Sequence, residues 1–319
     1  MTIIPLMGLL LFTACGESDN KEPDPIPPAT EGTQFIAGHT IAREEVLRKI
    51  PAIYINQART TLHVAYQHTS HGTHVSYGLY GLPDYKTGDN ELFGITRNNK
   101  QTNKLDFQDN VIASYANGVA DLSTNETAFE EGTRKFLDAP ANADINVVMW
   151  SWCSITNHDV ATNYLPGMQR LINEYGKDGT KVVSGKRKTP VTFIFMTGHA
   201  EANNNIGTGK PKNQADLITA FCEKNKQYCL DYYSIDTHDM DNKYWDDASD
   251  DGTSTKGGSF YASWQSSKAK GQYWFENKDR PGGSVIYGEH NTQHITANRK
   301  AFAMWWILAR IAGWDGESE

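Results

Sequence analysis

The stretch HVAYQHTSHGTHVSYGLYG, residues 63–81, sets His68, His71 and His74 around one serine, Ser70. Two chemistries fit these residue types. A hydroxyl becomes a nucleophile when a neighbouring base takes its proton, and imidazole titrates near neutrality. Clustered imidazoles also bind transition metals, and His199, His238 and His294 would add to such a cluster. The His-Thr-Ser-His spacing on a turn is not the helical HExxH arrangement, so the nucleophile is the stronger reading and no metal ligand is assigned. Ser70 has a plainer role open to it, capping the helix that follows. His63 and His158 read as structural residues.

These side chains need a scaffold. Short apolar runs at 61–66, 145–150, 191–196 and 229–235 predict strands, and the intervening patterns at 128–138, 164–176 and 213–225 predict helices. Continuous apolar strands alternating with helices imply a parallel sheet covered on both faces. The expected class is therefore α/β: a three-layer α/β/α fold with a mainly parallel sheet. A last helix is expected in ANRKAFAMWWILARIAG, capped by Thr296, carrying an apolar stripe and stopped at Gly313. In such sheets ligands sit beyond the carboxyl ends of the strands. There the sequence places His68-Thr-Ser-His-Gly, then SWCSITNH, then Thr197-Gly198-His199, then Asp236-Thr-His238-Asp239. The reactive residue types gather on one rim.

The apolar start MTIIPLMGLLLFTAC resembles a bacterial lipoprotein signal, which implies lipidation at Cys15 and a place in the bacterial cell envelope. Residues 16–34, with four prolines, read as a disordered linker. Residues 35–319 then form one domain, with a polar, aromatic-rich insertion at about 240–288. The net charge of −8 and the absence of a basic stripe argue against a nucleic-acid partner. No later stretch has the length of a membrane span, so membrane contact is expected only through the lipid. Cys222 and Cys229 flank a short polar link and are expected to form a disulfide outside the cytoplasm, leaving Cys153 as a buried free thiol. Asp247, Ser249, Asp251 and Gly252 partly match a calcium loop, but Gly258 stands where Glu is needed; an acidic solvated loop is expected. No cofactor is expected.

The ordered motifs HTSHG, NVVMWSWC, FMTGH and NRKAFAMWWILARIAGWDG resemble the SGNH/GDSL hydrolases, in a secreted bacterial branch. The resemblance spans about residues 60–316. It implies that Ser70 is the nucleophile and that His294, just before the last helix, is its base. The family's Asp three residues before that histidine is Asn291 here, and Glu289 is the carboxylate near enough to substitute. Gly118 is the oxyanion candidate. Ser154 and Asn157 stand for the family's Asn block, and His68, His71 and His199 line the pocket. The implied activity is serine ester hydrolysis, with acylated extracellular glycans as the expected substrate. Two alternatives stand beside it: a non-catalytic glycan-binding surface lipoprotein on the same fold, and a metal-dependent hydrolase using the histidines.

Overall fold

The computed structural model describes Met1 and residues 35–316. Cys15 and the linker at 16–34 lie outside the described residues. Six strands, β1 (Ile36–Ala37), β2 (His63–Gln67), β3 (Asp106–Asp109), β4 (Val147–Trp150), β5 (Thr192–Met196) and β6 (Cys229–Leu230), form one sheet in the order β1-β6-β5-β4-β2-β3. All five pairings are parallel. The three-layer α/β/α architecture expected from the sequence is the one observed.

Side-chain alternation explains why both faces are covered. Val64 and Tyr66 of β2, Val147 and Met149 of β4, and Ile194 and Met196 of β5 share one core. Helices α1 (Ala52–Thr61), α2 (Thr73–Gly81) and the last helix pack there. Ala65, Val148, Trp150, Phe193 and Phe195 point the other way. They meet α3 (Ala128–Asp138), α4 (Leu165–Tyr175) and α5 (Pro211–Asn225).

Two boundaries differ from expectation. The strand expected at 229–235 ends at Leu230, and Tyr232–Thr237 forms a short helix, α6. The Asp231 carboxylate accepts the Ser234 N–H and caps that turn, a local bond that outcompetes strand pairing. The last helix, α8, runs His294–Ile311, following α7 (Phe260–Ser267). Thr296 therefore lies inside α8, its hydroxyl donating to the Gln293 carbonyl instead of capping. Instead of one apolar stripe, α8 is buried on all sides from His294 to Arg310. Several of its polar residues bond to the insertion and to the loops after β1 and α6. Asn298 exchanges two hydrogen bonds with the Phe275 backbone. Arg299 donates to the carbonyls of His39 and His238 at 2.9 and 2.7 Å.

The Cys222–Cys229 bridge is not formed; both residues are buried free thiols in hydrogen-bond contact. Among the described residues, no helix is long and apolar enough to cross a membrane.

Candidate active site

The chain leaves β2 toward β3 on one side, whereas β4 lies on the other. Loops after β2 and β4 therefore diverge at their carboxyl ends, the position at which α/β sheets place a ligand crevice. Ser70 and His71 enter it from β2, Cys153 from β4 and His199 from β5. The insertion adds Asp250, and the segment before α8 adds His290.

Ser70 sits on the first residue of a tight turn with φ of +42°, a left-handed value uncommon for a residue with a Cβ. The turn comes close to β4 because residue 72 is glycine. A Cβ there would lie 2.5 Å from both His68 Cβ and Ser151 Oγ. The Ser70 hydroxyl does not cap a helix; its Oγ lies 2.8 Å from Nε2 of His290. His290 also has positive φ, +59°, and is exposed. Both members of the pair are thus held on unusual backbone.

Beneath His290 lies His71, stacked at 4.7 Å between ring centroids, and His71 stacks on His199 at 3.6 Å. Nδ1 of His71 is 3.3 Å from Cys153 Sγ, and Nε2 is 2.6 Å from Asp250 Oδ2. Burial works against a charge on His71, yet its bonds to Asp250 and Cys153 raise its pKa to about 9. Burial and the neighbouring His71 lower His199 to about 4, so His199 is neutral at pH 7. Its Nδ1 donates to the Ala200 carbonyl at 2.8 Å.

The loop carrying Asp250 satisfies its other carboxylates internally. Asp247 accepts from Ser254 and Thr255, and Asp251 accepts from Ser249 and the Thr253 N–H. Gly252, φ +72°, turns the chain where any Cβ would strike the Tyr261 ring.

A second network supports the His290 segment from below. Lys300 and Asp236, both fully buried, pair at 2.7 Å. The Lys300 ammonium also approaches His74 Nδ1 at 3.3 Å, and His74 Nε2 donates to the Glu289 carbonyl at 2.7 Å. His74, expected near the nucleophile, instead tethers the residue preceding His290.

Several expected site residues are placed elsewhere. His294 is not the partner of Ser70: its Nδ1 accepts the Asn277 N–H, and its ring lies against Trp274 and Tyr287. Asn291 does not orient that ring; its amide donates to Thr296 Oγ1 and the Asp250 carbonyl. Glu289 is exposed and contributes its backbone. The Gly118 N–H is spent on the Ala113 carbonyl, so it donates nothing to an oxyanion. Ser154 donates to Glu201, and Asn157 is exposed against Gly209. His68 turns to Asp109 at 2.6 Å, beside β3. Of the expected pocket residues, His71 and His199 join Ser70. Cys153, expected as a buried thiol, is half-buried and in the crevice. His63 and His158 pair with Asp106 and Glu126, as structural residues do.

His71, His199 and Asp250 are close enough to suggest a metal centre. Their orientation does not fit one. The two rings are within 9° of parallel, so their in-plane lone pairs lie in separate planes and do not converge on an ion at about 2.0–2.1 Å. Nε2 of His71 is already engaged by Asp250. A cavity of about 490 Å3 lined by His39, Asp231, Tyr233 and His238 is lined by none of the residues around Ser70.

No protein-family model, curated protein or solved structure matches the chain.

Proposed function

We propose that the protein is a serine ester hydrolase, with Ser70 as nucleophile and His290 as general base, acting on acylated glycans. The observation that carries this reading is the 2.8 Å contact between Ser70 Oγ and His290 Nε2 on the rim of a parallel sheet. A base at that distance can take the hydroxyl proton as the oxygen attacks an acyl carbon, and return it to the departing alkoxide. Ser70's strained φ supports the same role, since such strain gathers at functional sites. The Ser70 and His71 N–H groups open the turn ahead of the Gly72 N–H, which bonds the Thr69 carbonyl, and are suited to an oxyanion. Among the described residues no carboxylate hydrogen-bonds His290; the Asp250 charge reaches it only through the stacked His71. That arrangement favours a slower enzyme than a complete triad would give. The glycan element rests on the half-exposed Tyr287 and the Trp274 ring near the His290 segment, faces on which a sugar can stack.

The test is an esterase screen with acetylated glycans and short-chain nitrophenyl esters. Ser70→Ala and His290→Ala are each expected to lower turnover at least about a thousandfold without unfolding the protein. Unchanged turnover in Ser70→Ala would overturn the reading.

A further inference from the structure

The crevice contains a second nucleophilic side chain with its own base and its own carboxylate. Cys153 Sγ, His71 Nδ1, His71 Nε2 and Asp250 Oδ2 lie in sequence at 3.3 and 2.6 Å. This is the order in which a third group orients a base behind a nucleophile. The three residues come from the loops after β4 and β2 and from the insertion, so tertiary folding alone assembles them. Cys153 is half-buried, whereas the side chains of His71 and Asp250 behind it in the chain of contacts are 7% and 17% exposed.

We propose that Cys153 is a second acyl acceptor of this pocket, taking acyl groups from activated esters and thioesters, with His71 carrying the proton and Asp250 as a positioning residue. The proposal rests on reading the crevice as an acyl-transfer site. The thiolate attacks the acyl carbon, a C–S bond forms, and the carbonyl opens to an oxyanion. Collapse breaks the bond to the alkoxide or thiolate leaving group, which takes the proton from the His71 imidazolium. Water then attacks the thioester and gives a proton to neutral His71. The second collapse releases the carboxylic acid and restores the thiolate beside imidazolium.

The electrostatics agree with that geometry. The hydrogen bond from His71 lowers the Cys153 thiol, burial opposes it, and the Ser70 hydroxyl adds to the lowering. Asp121 repels the thiolate, and the Cys153 N–H is spent on Ser123 Oγ. Burial likewise opposes ionisation of Asp250, and the bond from His71 together with the charges of His71, His199 and Lys300 outweighs it and lowers the carboxyl. A Cys153 thiolate beside the Asp250 carboxylate would leave the cluster under His290 net negative even with His71 protonated, which would favour the cation His290 becomes when it takes the Ser70 proton.

Two measurements decide it. In wild-type protein, iodoacetamide at pH 6.5 is expected to alkylate Cys153 about tenfold faster than free cysteine. The gain in thiolate fraction exceeds the loss of intrinsic nucleophilicity. Buried Cys222 and Cys229 should stay unmodified. In Ser70→Ala, p-nitrophenyl acetate should leave an acetyl group on Cys153, detected by peptide mass spectrometry and absent from Ser70→Ala/Cys153→Ala. Alkylation no faster than free cysteine, or no acetyl on Cys153, overturns the proposal. Acetyl on wild-type Ser70 with a silent Cys153 removes this proposal and leaves the serine hydrolase standing. Acetyl on neither residue removes both. Should Ser70→Ala fail to fold, the wild-type alkylation rate decides alone.

Discussion

Oδ2 of Asp250 lies 2.6 Å from Nε2 of His71, across 179 positions of sequence. The contact joins the insertion to the turn after β2 and fixes the charge at the base of the crevice. Asp250→Asn keeps the shape and removes the charge. His71 is expected to titrate near pH 9 in the wild type and closer to its ordinary value of 6.5 in the variant. Ring-proton NMR reads the difference. An unchanged titration would show that Asp250 does not set the protonation of His71.

Ser70 and its backbone give opposite demands on function and stability. At φ +42° a side chain costs about 1 kcal/mol or more, and glycine does not bear that cost. Ser70→Gly is expected to be more stable than Ser70→Ala by about 1 kcal/mol in urea unfolding, with turnover through Ser70 lost in both. Equal stability of the two variants would mean that the turn is not strained.

The buried Lys300–Asp236 pair is expected to be costly to break. Lys300→Met strands a carboxylate and should cost about 3–5 kcal/mol. The double variant Lys300→Met/Asp236→Asn should recover part of that loss, because no unpaired charge remains. Additive losses in a double-mutant cycle would contradict the pairing. Lys300→Met should also lower turnover, since His74 and the Glu289 carbonyl link this pair to His290.

Acid should destabilise the fold well above the range where ordinary carboxylates titrate. Burial lowers His39 to about 2 and His199, His238 and His294 to about 4, and lowers His74 well below its ordinary value. Below pH 6.5 the unfolded chain protonates these five imidazoles while the folded chain does not. The unfolded state then binds more protons, so stability falls as pH falls. Burial raises Asp231 and Asp236 to about 6, which acts in the opposite sense between their ordinary 3.8 and 6. Burial also raises Asp121 above its ordinary value, and five groups against three leaves the loss dominant. Tm is expected to drop steadily from pH 6.5 to pH 4; a flat profile would mean that these histidines are hydrated.

The sheet was legible because β2, β4 and β5 carry unbroken apolar runs buried on both faces. β3 was not: its sequence, Asp-Phe-Gln-Asp, is mostly polar, and its two aspartates are buried only because His63 and His68 pair with them. β1 pairs through two residues, too few for a pattern, whereas the run at 229–235 marked β6 but overran its end at Leu230. The rim of reactive residues followed from strand ends, and Ser70, His71 and His199 came with it. His290 was missed because the family resemblance points to the histidine just before the last helix, His294, four residues on, which packs against aromatics at the start of α8. Asp250 could not be read as a site residue, since nothing local distinguishes it from Asp247 and Asp251. Only the turn at Gly252 and the partners of its neighbours single it out. Cys153 was passed over because half-burial beside an imidazole is a tertiary fact.

The most direct test of the central claim is covalent labelling with a fluorophosphonate, which marks a serine only when a base activates it. Intact-mass and peptide analysis should place one phosphonyl group on Ser70 in the wild type. Labelling should be lost in Ser70→Ala and slowed at least about a hundredfold in His290→Ala, the contribution of a positioned base. An unlabelled Ser70 in folded protein, or labelling as fast without His290 as with it, would contradict the account.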